Sequence, residues 1–333
     1  MNAPRATVEE YVQFPLASPR VVSAAEAGRV QPDRPRAPAH DAFTRLLTRL
    51  EPDPAALWDE VRPLIHLAGG VLVIDDSTLD KPRAKPIDLV TRHGSGNHRA
   101  VVTGINLVTL LWSDGDRLDP TDYRLYHEDT DGKTKNDHFA DRLDAAHSRG
   151  LRPKAVLFDG WYASIDNLKR VRRLGWVFVT RFKGHRLVRI DHGSPLPLSA
   201  QPVAAAGTVV WLPGFGSARV FRVVATNGDT THGATNDPGM DETTRLAFAE
   251  LSWGIEEYHR GVKQYTGVER CSARGEWSQR NHIGFALRAF VRRAYHRFTT
   301  GVSRFAAKWA IVRDAVRAYL EQPRYKLPEP ATA

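Results

Sequence analysis

Two short, wholly apolar runs that each end in aspartate, VLVID (71–75) and KAVLFD (154–159), constrain this chain more than any other feature. A run without a polar face must be covered on both sides, which is the situation of strands inside a sheet flanked by helices. Around them the hydrophobic period alternates. AVVTGINLVTLLW (100–112) and TDYRLYH (121–127) are rich in Val, Ile, Thr and Tyr and predict two more strands. NDHFADRLDAAHSRG (136–150) predicts a helix closed by Gly150. SIDNLKRVRRLG (164–175) predicts a helix between Ser164 and Gly175, followed by the strand WVFVTRF (176–182). The order of three strands, helix, strand, helix, strand is that of a mixed α/β sheet flanked by helices.

Strand-like pieces, GTVVWL and ARVFRVVAT, follow within 207–226, and a long helix is expected from about Asp241. Its Leu251, Ile255, Tyr258 and Val262 form the apolar stripe of a helix packed on a sheet. At the other end, residues 1–40 suggest short helices and a loose connection. AFTRLLTRLE and AALWDEVRPLIHL place Leu46, Leu47, Leu50, Leu57, Val61, Leu64 and Leu67 at helical spacing. We therefore expect a helical N-terminal region at 1–67, an α/β domain at 68–300 with a β-rich insertion at about 183–240, and a C-terminal helix and tail at 301–333.

The single Cys271 excludes an internal disulfide framework and any multi-cysteine metal site, and reads as a small packing residue. No stretch approaches the ~18 uncharged apolar residues of a membrane span, and the charged N-terminus lacks a secretion signal, so the expected location is cytoplasmic. The net charge of +9 is unevenly placed, because residues 251–333 hold 15 basic against 7 acidic side chains. Such asymmetry points to a nucleic-acid partner. In NHIGFALRAFVRRAYHRF (281–298), Ile283, Leu287, Phe290, Ala294 and Phe298 form a core-facing stripe, with Arg288, Arg292, Arg293 and Arg297 around it as candidate DNA contacts. His93 and His98 read as part of a turn rather than as metal ligands.

Open α/β sheets place their functional crevices at the carboxyl ends of the strands, so Asp75 and Asp159 are candidate neighbours. Asp76 competes with Asp75, but Asp75 directly follows VLVI, and Asp76 would point to the opposite side of the strand. Paired carboxylates suit a hard cation such as Mg²⁺, with Mn²⁺ as a substitute, and a third would complete a two-metal phosphoryl-transfer site with ions about 4 Å apart. LSWGIEEYHRGVK offers Glu256 and Glu257. At about 100° per residue, Glu256 returns to nearly the azimuth of Lys263, with Arg260 about 40° away, whereas Glu257 points elsewhere.

With these residues in view, the chain resembles the DDE transposases of bacterial insertion sequences, whose catalytic domain has the ribonuclease-H-like fold. WGIEEYHRGVKQ is similar to the third-carboxylate signature of the IS-four-like branch, Tyr, x2, Arg, x3, Glu, x6, Lys, and IDDSTLDK and VLFDGWYAS are similar to its surroundings of the first and second Asp. Ser252 and Ala249 stand where the signature has Arg and Tyr. The resemblance implies Asp75, Asp159 and Glu256 as catalytic metal ligands, and Lys263, Arg260 and the basic segment carrying Arg181, Lys183 and Arg186 as DNA contacts. It implies double-stranded DNA, both transposon ends and target, as partner. A homodimer on that DNA is compatible with it, and the N-terminal helices would help recognise the ends. The rivals are a ribonuclease-H-like nuclease without strand transfer and an impaired relative acting as a DNA-binding regulator.

Overall fold

The computed structural model describes residues 5–18, 20–82, 87–95, 100–127, 130–191 and 193–322. Four helices open the chain: α1 (Val8–Ala17), α2 (Ala24–Arg29), α3 (His40–Arg49) and α4 (Ala55–Val61). The strands β1 (Val71–Asp80), β2 (Thr91–Ser95), β3 (Ala100–Ser113) and β4 (Leu118–Tyr126) follow. Then come α5 (Lys135–Ser148), β5 (Ala155–Phe158), α6 (Ile165–Arg173) and β6 (Phe178–Phe182). The segment after β6 contributes β7 (Leu187–Val188), β8 (Leu196–Pro197), β9 (Thr208–Leu212), β10 (Gly216–Val224) and β11 (Thr230–Thr235), and three helices close the chain: α7 (Glu242–Tyr265), α8 (Glu276–Thr300) and α9 (Arg304–Glu321).

Among the described residues one mixed sheet runs in the order β2-β3-β1-β5-β6-β11-β10-β9, with β4 also paired to β3. The α/β expectation, with a ribonuclease-H-like mixed sheet, is met. β1 is antiparallel to β3 and parallel to β5, and β5 is parallel to β6. The two apolar runs are therefore adjacent central strands, and Val71–Ile74 and Ala155–Phe158 are buried. Of the strands after β6, β9, β10 and β11 prolong this sheet, because β11 pairs antiparallel with β6, while β7 and β8 pair with each other in a separate two-stranded sheet.

Alternation along the strands sorts the side chains between two helical layers. The face carrying Phe158 meets α5, where the Phe139 ring lies 5.0 Å from that of Phe158. The opposite face is crossed by α7, whose Ile255, Tyr258 and Val262 are buried as their spacing predicts. Asp241 caps α7 through the Thr244 amide at 2.7 Å.

Several expectations change. β1 continues to Asp80, so Asp75 lies inside a strand, and what ends beside it is the parallel ladder to β5. The helix expected to reach Leu67 stops at Val61, and a 3₁₀ turn at Arg62–Leu64 takes up the chain at Pro63. His93 sits in strand β2 rather than a turn, while its side chain and all of His98 fall outside the described residues. Phe298 is 55 % exposed beneath the Arg117 guanidinium instead of entering the core. Leu57 and Val61 join the main core, whereas Tyr11, Phe43 and Leu46 form a second cluster with Phe285 and Ala289 of α8. No helix among the described residues is long and apolar enough to cross a membrane.

Candidate active site

The last paired rung of the β1/β5 ladder is Ile74 with Phe158, and the next step on each strand is Asp75 and Asp159. In a parallel pair, residues on one rung point to one face, so both carboxylates leave the sheet toward α7. There they line a cavity of about 350 Å³ together with Glu256, Ser252, Ala249, Arg245 and Arg181. The site is thus made by three elements remote in sequence, and α7 supplies one wall.

Each acid is held differently. Asp159 opens the turn after β5, where its Oδ1 accepts the Trp161 amide at 2.8 Å. Gly160 permits that turn to pass under β6, since a Cβ there would lie 2.6 Å from the Arg181 carbonyl oxygen. Asp75 is pushed up to about 8 by burial first, and then by the charges of Asp76, Asp159 and Glu256, against one backbone bond from Asp76. Neither Asp75, Asp159 nor Glu256 has an ion-pair partner among the described residues.

The neighbouring acids Asp76 and Glu257 are each engaged elsewhere. Asp76 points to the other face, where it accepts bonds from Lys135 Nζ at 2.7 Å, Asn106 Nδ2 at 2.9 Å and Tyr162 Oη at 2.9 Å. Burial opposes its ionisation, but Lys135 and these bonds outweigh that and hold the carboxyl below its usual range. Glu257 turns away into a separate groove, paired with Arg304 at 2.9 Å and Arg297 at 3.4 Å.

The expected cations divide. Arg181 lines the carboxylate cavity, and Lys183 is exposed two residues further on. Arg186 is committed to structure: its guanidinium bonds the Ala163 carbonyl and stacks on Phe182, 4.5 Å from the ring centroid. Lys263 donates to the Thr78 carbonyl at 2.6 Å and pairs with Glu269 at 3.4 Å, which ties the end of α7 to β1. Arg260 shares a surface groove with Glu257 and Arg297, not the cavity of Glu256. On α8, Arg288 and Arg292 pair with Glu60, and Arg293 bonds the Leu16 and Arg304 carbonyls. Arg245 was not singled out by the sequence. It lies seven residues before Ser252, nearly two full turns, and a helical projection carried back from Glu256 would have found it.

Among the described residues no group of three or more His, Cys, Asp or Glu side chains is drawn together closely enough to hold one metal ion. The donor chemistry nevertheless fits a hard divalent cation: three carboxylates on one cavity, none neutralised by a cationic partner, with Asp75 bearing the repulsion of the others.

Among solved structures, the piggyBac transposase synaptic complex with hairpin DNA superposes with a TM-score of 0.51 at 14% identity, covering 100% of this chain and 78% of that one. The Drosophila P element transposase strand transfer complex gives a TM-score of 0.29 at 13% identity, over 53% of this chain and 37% of that one, too little to support an argument. No curated protein matches the chain. The family model described as DDE superfamily endonuclease matches residues 21–205, more than half of the chain and inclusive of Asp75 and Asp159, so this protein belongs to the DDE superfamily of endonucleases.

Proposed function

We propose that the protein is the transposase of a DNA insertion sequence, which cuts double-stranded DNA at the transposon ends and joins the freed ends to a target. Asp75, Asp159 and Glu256 are its catalytic carboxylates and its metal ligands. The observation that carries this reading is their convergence on one cavity while Asp76 and Glu257, one residue away, are engaged elsewhere.

Mg²⁺ or Mn²⁺ bound there would supply positive charge to the attacking and departing oxygens of a phosphodiester. The chain's own contribution is position. β1 and the turn after β5 hold two carboxylates one step beyond the last paired rung, and Lys263, bonded to the Thr78 carbonyl, keeps α7 against β1 so that Glu256 faces them. Arg181 and Lys183 would grip the backbone of the DNA strand, and the helices of 1–67 would contribute to recognition of the ends.

The test is cleavage of a duplex carrying the element's own ends. Cutting should require Mg²⁺ or Mn²⁺ and vanish in Asp159→Asn. Undiminished cutting in excess chelator would sink the metal mechanism, and cutting without joining would reduce the protein to a nuclease.

A further inference from the structure

Arg245 is 7 % exposed, yet its side chain makes no hydrogen bond or ion pair among the described residues, and its Nε is buried without a partner. It lies on the wall of the carboxylate cavity, with its guanidinium 5.6 Å from the centre of the Phe221 ring. Its aliphatic stem crosses Gly233, where a Cβ would come within 3.2 Å of Arg245 Cδ. Gly233 is paired in the ladder with Arg181 of β6, so the missing side chain lets one arginine lie beside the other. Arg181 also has no ion-pair partner among the described residues. Glu242, one turn earlier, attracts Arg245 without pairing to it, while Arg181 repels it.

A buried guanidinium without a partner, repelled by the exposed guanidinium of Arg181 beside it, works against folding. Arrangements of this kind persist where an anion completes them, and guanidinium forks suit phosphate oxygens. The stripe Arg245, Ala249, Ser252, Glu256 recurs at intervals of four, three and four residues along α7, and all four line the cavity. A cation thus stands at one end and a catalytic carboxylate at the other, with two small residues between. The ends are separated by about 16 Å of helix axis, too far to grip one phosphate together.

We propose that Arg245 and Arg181 form a phosphodiester subsite that seats a backbone phosphate of the DNA strand, displaced along that strand from the phosphate that reacts. The subsite rests on the reading of this cavity as a DNA-cleaving centre, and Arg245 acts in it as a positioning residue.

The experiment measures binding of a short fluorescent DNA duplex to the full-length protein in metal-free buffer across a salt series, beside the thermal unfolding of each variant. Arg245→Gln should weaken binding about tenfold and lower the slope of log affinity against log salt by about one, while Arg245→Lys keeps the slope. Without DNA, Arg245→Gln should unfold at the same temperature as the wild type or a higher one, because an unpaired charge has been removed.

Unchanged affinity and slope in Arg245→Gln would overturn the subsite, as would a binding loss that follows a fall in unfolding temperature. If inorganic phosphate stabilises the wild type but not Arg245→Gln, while both bind the duplex alike, the anion is free phosphate and the strand assignment fails. A wild type indifferent to duplex DNA would sink the subsite and the transposase reading together. Arg245-dependent binding without metal-dependent cleavage of the ends would sink the transposase reading alone.

Discussion

Asp75 and Asp159 occupy the same step beyond the last paired rung of adjacent parallel strands, so the sheet itself sets the spacing of the two carboxylates. The β1 side of that step is a strand that continues through Asp80, anchored by β3 along its whole length. A rigid β1 therefore presents Asp75 from one side, and the turn at Gly160 presents Asp159 from the other.

The crowding at Asp75 should trade stability for function. Burial first, and then repulsion from Asp76, Asp159 and Glu256, disfavours the ionised Asp75 carboxylate that the unfolded chain carries at neutral pH, so Asp75→Asn should stabilise the metal-free protein by about 1–2 kcal/mol. The same change should erase the rise in unfolding temperature that Mg²⁺ gives the wild type, and abolish cleavage. Denaturant titrations with and without Mg²⁺ check both parts, and a destabilised Asp75→Asn would show that the carboxylate is structural.

Glu256 and Glu257 differ by one residue and face different cavities. Glu256→Gln should eliminate strand cleavage and leave DNA binding intact. Glu257→Gln should keep cleavage and lose under about 1 kcal/mol, since its pairs with Arg304 and Arg297 are partly exposed. Cleavage and gel-shift assays on both variants decide it, and the reverse ranking would move the catalytic register by one.

Asp76 has a structural task behind the site. Asp76→Ala would leave Lys135 without its carboxylate and strip acceptors from Asn106 and Tyr162, at a cost of about 3 kcal/mol. Urea unfolding should show this loss, and Asp76→Asn should recover part of it. A cost below 1 kcal/mol would mean that these bonds do not hold β1 to α5, by the usual scale for exposed pairs of roughly that size.

The join between α1 and α8 should be sensitive to acid. His282 Nε2 donates to the Gly267 carbonyl at 3.0 Å and its Nδ1 accepts from Tyr11 Oη at 2.9 Å, an arrangement only the neutral ring can make. Burial, reinforced by the charge of Lys81, lowers its pKa to about 4 from the ordinary 6.5, against the bonds to Gly267 and Val268. Above pH 6.5 the ring is neutral in both folded and unfolded chains and contributes no pH dependence. As pH falls from 6.5 to 4 the unfolded chain takes up the proton first, so stability should drop by about 3 kcal/mol over that window and then level. His282→Gln should flatten that part of the stability curve, and an unchanged curve would place the acid sensitivity elsewhere.

What could be read directly from the chain was local. The apolar runs, the helix signals at Ser164, Asp241 and Gly150, and the stripe on α7 depend on neighbouring residues, so they specify central strands and a sheet-covering helix without a partner being known. Alternation along a strand likewise separates Asp75 from Asp76, and 100° of helix separates Glu256 from Glu257, roughly as the regular geometries require.

The fate of the cations was decided only by tertiary structure, because a guanidinium or ammonium on a long stem bonds whatever packing brings within reach. Arg186, Arg288, Arg292, Arg293 and Lys263 are taken by backbone carbonyls or carboxylates from distant segments, and no spacing along the chain announces those partners. Arg245 and Arg181 stand together for the same reason. They are separated by 64 positions in sequence, and the pairing of β11 with β6, the gap at Gly233 and the descent of α7 across the sheet bring them to one wall.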